Sequence, residues 1–345
     1  MEIFMGVKVL GDPNNAKHCS SDIIISNLNN AAKKIGIYDD NGYNIVYDCI
    51  GNSHGHNPDA FIVVYELIFP AFILNQVYPK PMFGVSRDNV EFMKQGGYPD
   101  NLCNLAHLGV DTNVWQFREK QKIQGKFRLL GIGESNTRGG LELVVRNFCE
   151  EFANSNSVEL YLRDRNAAPI FKQWVQQQAN IHNVTIIHDD RHLENFEEEK
   201  DIFYSADAAI CLNKSSTWNL RTIESMSTGT PLIVIPYAGP RDYSIDNESA
   251  IHVQYDLSDI DLNVLNSLQQ IGLKNYLFNP QMHPQIPVWS MPNNDSVKEK
   301  MREVVENSDL RNKVSIGGAE YVKQFTWEKS VEKLYDTMLS YQDRE

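Results

Sequence analysis

The apolar and polar positions of the chain begin with a short apolar run at residues 7–10, then a loop of turn formers, Gly11-Asp12-Pro13-Asn14-Asn15. Behind a Ser20-Ser21 cap, Ile24, Leu28, Ala31 and Ile35 recur at helical spacing up to Gly36. Strand, glycine loop and helix in that order predict the first unit of an α/β domain. Residues 44–50 predict a second strand, 51–59 a polar loop with His54 and His56, and 60–65 a third strand with Glu66 at its end. That third run is apolar throughout, as in a parallel sheet buried on both faces. Residues 82–85 predict a strand, and 88–94 a helix capped by Ser86 and stopped at Gly96-Gly97. The charged stretch 117–125 reads as a domain boundary. Beyond it the alternation repeats, with strands at 127–132, 158–163, 184–188, 208–212, 232–235 and 251–253. Helices are predicted at 141–152, 168–179 and 195–205, and a glycine-bearing loop at 133–140. Residues 272–294, heavy in Pro and Asn, read as a loop, and helices at 297–307, 309–323 and 326–341 close the chain. Strands alternating with helices predict a doubly wound parallel sheet in each half.

One stretch carries more than periodicity. Residues 215–231, S-S-T-W-N-L-R-T-I-E-S-M-S-T-G-T-P, follow an apolar strand, and Leu220, Ile223 and Met226 predict a helix before a Gly-Thr-Pro stop. Such a helix directs unpaired N–H groups and its positive end back to the strand edge, where an anion is stabilised. Arg221 and Glu224 share one face of it, so one can pair with a phosphate while the other accepts from a sugar hydroxyl. The same spacing also suits a plain surface ion pair.

The 345 residues suit two domains, and 42% hydrophobic with 22% charged residues is the composition of a globular protein. The longest apolar run, 61–74, is interrupted by Glu66 and Pro70 and falls short of a membrane span. With an N-terminus unlike a signal peptide, this predicts a cytoplasmic protein without a transmembrane segment, while peripheral membrane contact stays open. Five scattered cysteines, without a C-x-x-C pair, indicate neither a disulfide framework nor zinc. The formal charge of −13 disfavours non-specific duplex binding. Residues 1–113 hold seven Lys and Arg against twelve Asp and Glu, a net charge of −5, so duplex DNA is not the expected partner.

Several patterns stay below a site. His54 with His56, and His188-Asp189-Asp190-Arg191-His192, fit no zinc spacing. Asp259-Ile260-Asp261 spells a manganese-binding triplet but lies late, in a polar stretch. Gly131-x-Gly133 is half of a dinucleotide fingerprint, which makes a dehydrogenase a poor fit.

Three stretches resemble the retaining, nucleotide-sugar-dependent glycosyltransferases of family 4 with the GT-B fold. They are L-G-V-D-T-N-V-W at 108–115, Y-S-A-D-A-A-I-C-L at 204–212 running into 215–235, and F-T-W-E-K-S-V-E-K-L-Y at 325–335. The resemblance implies two facing Rossmann-like domains, 1–118 on the acceptor side and 119–322 binding the donor, with a C-terminal helix, 323–345, packing back on the first. Glu224 matches the second Glu of the family's pair, the one that binds ribose, while Ser216 stands where the first Glu belongs. Thr217 lies in the same segment, and Trp218, Asn219 and Leu220 match the part whose backbone N–H groups meet sugar and phosphate. The family's Arg and Lys after the first strand of the second domain are represented by Arg138 alone, and Arg221 is placed to supply the second cation. Gly11 and Asp12 match the first loop of the fold, Tyr237 and Gly239 a loop near the donor, and the region of His188 the nucleobase contact. Each glycine position also suits an ordinary turn.

These implications describe an enzyme moving a hexose-type sugar from a nucleoside diphosphate to a glycan or other small hydroxyl acceptor. Retention and chemistry without a metal or other cofactor are expected, with Arg138 and Arg221 stabilising the departing diphosphate. Glu66 is the candidate base if the enzyme inverts, for instance on a modified nucleobase, or else a satisfied strand-end acid. A non-catalytic sugar-nucleotide or glycan-binding module is the reading from another class.

Overall fold

The computed structural model describes residues 5–11, 20–48, 56–63, 80–95, 98–120, 125–136, 138–164, 167–191, 193, 196–259 and 288–342. Its first half comprises β1 Val7–Leu10, α1 Ser20–Lys34, β2 Tyr43–Asp48, β3 Ala60–Val63, β4 Met82–Gly84, α2 Arg87–Gln95 and β5 Cys103–Leu105. The strands pair in parallel and in chain order, β1-β2-β3-β4-β5. All four residues of β3 are buried, as its unbroken apolar run requires.

The second half comprises β6 Phe127–Ile132, α3 Leu141–Glu151, β7 Val158–Arg163, α4 Pro169–His182, β8 Thr185–Asp189, α5 Phe196–Ser205, β9 Ala208–Cys211, α6 Leu220–Ser227, β10 Leu232–Val234, α7 Gly239–Tyr243 and β11 Ile251–His252. Its parallel sheet runs β11-β10-β9-β6-β7-β8, so strand order reverses between β6 and β9. The expected pair of Rossmann-like sheets is present, and among the described residues the reversal belongs to the second sheet. Three helices follow: α8 Asn294–Glu306, α9 Ser308–Val322 and α10 Trp327–Gln342. Asn293 and Asn307 cap the first two, accepting from Ser296 N and Leu310 N at 3.0 Å.

α10 returns to the first half, as the resemblance implied. It packs along α1, and its Ser330 hydroxyl donates to the His107 carbonyl. One core runs without a break from Val9, Ile45 and Ile62 through Trp115 and Trp218 to Val331 and Leu334. A second core fills the other face of the second sheet, around Leu129, Phe148 and Leu160.

Three elements differ from the sequence reading. The loop expected over 272–294 contains a strand, β13 Val288–Pro292, which pairs antiparallel with β12 Tyr255–Asp259. Tyr255–Asp259 leaves Asp256, Leu257 and Asp259 exposed, while Val288–Pro292 buries Trp289 and Ser290, so neither strand shows the apolar run of a core strand. Residues 239–243 form one helical turn where a plain turn was expected, and Cys103–Leu105 form the edge strand β5. Among the described residues, no helix is long and apolar enough to cross a membrane. Cys103, Cys149 and Cys211 are free thiols, the last two buried.

Candidate functional site

In an open α/β sheet a crevice forms where neighbouring strands send their connections to opposite sides. Here that point lies between the C-terminal ends of β6 and β9. The loop after β6 and the loop after β9 are laced together there. Lys214 N donates to the Arg138 carbonyl at 2.9 Å, and the Arg138 guanidinium returns a bond to the Ser215 carbonyl at 3.0 Å. Arg138 also pairs with Glu134 at 3.2 Å, its side chain 17% exposed. Beside it, Lys214 is buried, bonds Glu142 Oε1 at 2.9 Å, and lies 4.9 Å from the centre of the Trp289 ring. Lys214 comes from the loop after β9 and not from the loop after β6, where the resemblance places the family's cations.

The turn into α6 is made by Asn219 at φ 64°, a left-handed conformation that asparagine tolerates better than most residues. Its carbonyl accepts from Thr222 N and Thr222 Oγ1, and its side chain donates to Cys211 Sγ at 3.2 Å. Leu220 and Ser216 are half-buried, and Thr217 is buried. Trp218 is buried against Tyr243 and Phe325 and stacks on His107, ring centres 5.3 Å apart. On α6, Arg221 Nη1 lies 2.9 Å from Glu224 and 2.8 Å from Glu199 of α5. The same-face pairing of Arg221 with Glu224 is therefore present, and Glu199 is a third member that the sequence did not suggest. Burial pushes the Glu224 carboxyl up to about 7; Arg221 offsets part of that rise and Glu199 adds to it.

Beside the loop after β9, the loop after β10 carries Tyr237, Ala238 and Gly239. Tyr237 packs on Tyr255, ring centres 5.7 Å apart, and its buried hydroxyl has no hydrogen-bond partner among the described residues. Gly239 lies flat on the neighbouring loop, where a Cβ would meet Trp218 Cα and O at 2.5 Å. Its glycine is thus required by loop-to-loop packing. Ala238 N donates to Asp88 of α2 at 3.0 Å, and Arg241 pairs with the same carboxylate at 2.8 Å. In the reverse direction Asp242, its side chain 1% exposed, accepts from Arg87 N, Arg87 Nε and His107 Nε2. Burial raises the Asp242 carboxyl, but the bonds from His107 and Arg87 outweigh it and hold the group below its ordinary value. None of these four charged residues was singled out by motif.

The remaining expected residues lie elsewhere. Glu66 and Asp12 fall outside the described residues, as do His54 and Asp261. Gly11 follows β1 with its open side against Ile25 of α1, and its carbonyl is 3.1 Å from His56 Nε2. His188 is at the end of β8, edge-on to Phe171, with neither ring nitrogen hydrogen-bonded among the described residues. Burial lowers its pKa. The adjacent Asp189 is fixed by Tyr161 Oη at 2.6 Å and by Arg191 Nε at 2.8 Å. Among the described residues, no group of three His, Cys, Asp or Glu side chains is placed to hold a metal ion. The structure thus gathers Arg138, Ser216–Leu220, Tyr237 and Gly239 at the crevice, with Arg221 and Glu224 on the α6 helix behind it.

No protein-family model matches the chain, and no curated protein sequence does. Solved structures do. A glycosyltransferase from Rickettsia africae is 10% identical with a TM-score of 0.65, covering 98% of this chain and 99% of its own. HepE from Anabaena, crystallised with UDP, is 10% identical with a TM-score of 0.64, covering 97% and 100%. The α,α-trehalose 6-phosphate synthase of Burkholderia multivorans is 10% identical with a TM-score of 0.58, covering 95% and 79%. At this identity the likeness is one of fold, the two-domain GT-B arrangement.

Proposed function

We propose that the protein is a GT-B glycosyltransferase that moves a sugar from a nucleoside diphosphate to the hydroxyl of a glycan or other small acceptor in the cytoplasm. The observation that carries this reading is the crevice at the strand reversal between β6 and β9, where Arg138 is anchored to the loop that leads into α6. An α/β sheet binds its ligands at such a reversal, and a phosphate gains there from a helix N-terminus and a nearby guanidinium. The structural neighbours are consistent with it: HepE was crystallised with UDP-glucose and with UDP.

In this reading the diphosphate lies over the loops that hold Arg138 and residues 216–220. Glu224 takes the ribose, with Arg221 orienting its carboxylate, and the loop of Tyr237 and Gly239 borders the sugar. Departure of the diphosphate is assisted by Arg138, Arg221 and the N–H groups opening α6, a fixed field in a closed crevice and not a metal ion. The chemistry follows the retaining course of family 4, which the motifs at 108–115, 204–235 and 325–335 resemble.

A thermal-shift screen with UDP, GDP and ADP, each alone and as its glucose or mannose conjugate, tests the donor. One base should raise the melting temperature by mass action, and a flat response to all of them overturns the reading. Donor hydrolysis, or transfer to a hydroxyl acceptor, then separates an enzyme from a binding module.

A further inference from the structure

We propose that Asp88 of α2, in the first half, shapes the donor loop of the second half, by holding Ala238 in a backbone conformation that alanine does not keep unaided. The inference rests on reading 236–239 as a donor loop. It makes Asp88 a positioning residue, acting through the loop without touching the donor.

Ala238 has φ 56° and ψ −123°, a region in which an L-residue's Cβ is crowded and glycine is the usual occupant. Its carbonyl closes the following turn by accepting Arg241 N at 3.1 Å. Its N–H finds its acceptor in the other half of the molecule, Asp88 Oδ2 at 3.0 Å. The second oxygen of Asp88 takes Arg241 at 2.8 Å, so one carboxylate bridges both ends of the turn 238–241. Gly239 between them is pressed on the backbone of Thr217 and Trp218, so any movement of Ala238 reaches residues 217–218 directly.

The contact has a mirror partner. Arg87-Asp88 opens α2 and Arg241-Asp242 lies in α7, and the two dipeptides pair crosswise, Arg87 with Asp242 and Arg241 with Asp88. In both pairs the carboxylate is the buried member: Asp88 and Asp242 are 13% and 1% exposed, Arg241 and Arg87 61% and 63%. The carboxylates are therefore the anchors and the guanidinium groups the rim. Opening of the two halves withdraws Asp88, leaves the Ala238 N–H to water and frees the residue to return to a negative φ. The donor loop then exists in its bound shape only when the halves are closed, and donor affinity includes the free energy of closure.

The test is a double-mutant cycle between Asp88→Ala and Ala238→Gly, because glycine adopts φ 56° without a carboxylate to hold it. Calorimetric affinity for UDP and UDP-glucose, or for the base selected by the screen, should fall about tenfold in Asp88→Ala, the loss expected for a charge-assisted hydrogen bond. In the Ala238→Gly background the same substitution should cost less than about threefold. Asp88→Asn, which keeps an oxygen for the Ala238 N–H, should lose less than Asp88→Ala. Equal losses in both backgrounds, or no loss in either, overturn the proposal. A second arm needs no ligand: exchange of the Arg241 amide, which closes the turn on the residue 238 carbonyl, should quicken in Asp88→Ala and slow again in Asp88→Ala/Ala238→Gly. If the wild type binds no nucleotide, the donor reading falls. The exchange arm then decides the coupling alone, and unchanged exchange overturns that as well.

Discussion

Glu224 shows how much one buried acid can report. Its folded pKa, about 7, stands above the ordinary 4.5 because burial disfavours the carboxylate more than Arg221 stabilises it. A raised pKa means that the folded state binds the proton more tightly than the unfolded chain. The stability it contributes is complete below pH 4.5 and is lost as the pH rises through 7. The loss is at most about 3 kcal/mol, at 1.36 kcal/mol per unit. Glu224→Gln should therefore flatten the fall in melting temperature between pH 5 and 8, and on the proposed function, in which Glu224 takes the ribose, it should also weaken nucleotide binding. A wild-type slope kept by the variant would assign it to another group. The Arg221 and Glu224 pairing was legible because the two lie three apart on a predicted helix, whereas Glu199 comes from α5 and nothing local announces it. Asn219 was legible as a segment but not as a conformation. At φ 64° Asn219→Gly should keep stability within a few tenths of a kcal/mol, while Asn219→Ala should cost about 1–2 kcal/mol, read by urea unfolding.

Among the elements, the hairpin of β12 and β13 was the least visible. Y-D-L-S-D exposes Leu257 beside its two Asp residues and V-W-S-M-P buries its serine, so neither shows a clean alternation, and the pairing joins residues 255–259 to 288–292 across a long separation. Alternation alone cannot supply a partner that far away. Once paired, the hairpin holds the loop after β9: Ser290 N and Oγ both donate to the Lys214 carbonyl at 2.8 Å, and Trp289 covers the Lys214 ammonium. Lys214 is 4% exposed and pairs with Glu142, one of whose oxygens, Oε2, has no hydrogen bond among the described residues. Removing the cation alone leaves a carboxylate poorly compensated, which costs about 2–4 kcal/mol. Lys214→Met should lower the melting temperature accordingly, and Lys214→Met/Glu142→Leu should recover most of it, since an apolar pair of similar size replaces the ion pair at little cost. Failure of the double variant to recover would assign Lys214 a role beyond Glu142.

At the scale of the whole molecule, the alternation of strands and helices made the two α/β halves legible, since each βα unit writes its own period into the sequence. The contacts between the halves were not, because they join residues such as Arg87 and Asp242, 155 positions apart and without a local signature. The chain crosses from the first half to the second at 108–115 and returns at 325–335, stretches whose role as crossings came only from the family they resemble. In the structure the two crossings touch. Val110 N donates to the Phe325 carbonyl at 3.0 Å. Gly109 faces the start of α10 so closely that a Cβ would meet Trp327 N at 2.3 Å and Thr326 C at 2.5 Å. Those atoms are backbone and cannot turn aside as a side chain would, so Gly109→Ala must push α10 away from the first sheet. Overpacking of this kind costs about 1–3 kcal/mol. Its effect should exceed the loss of stability, because Val331, Leu334 and Met338 of α10 belong to the core that joins both halves. Gly109→Ala should lower the urea midpoint and separate the unfolding of the two halves, so that tryptophan fluorescence and far-UV dichroism no longer coincide. Coincident transitions at the wild-type midpoint would mean that the two crossings do not couple the halves.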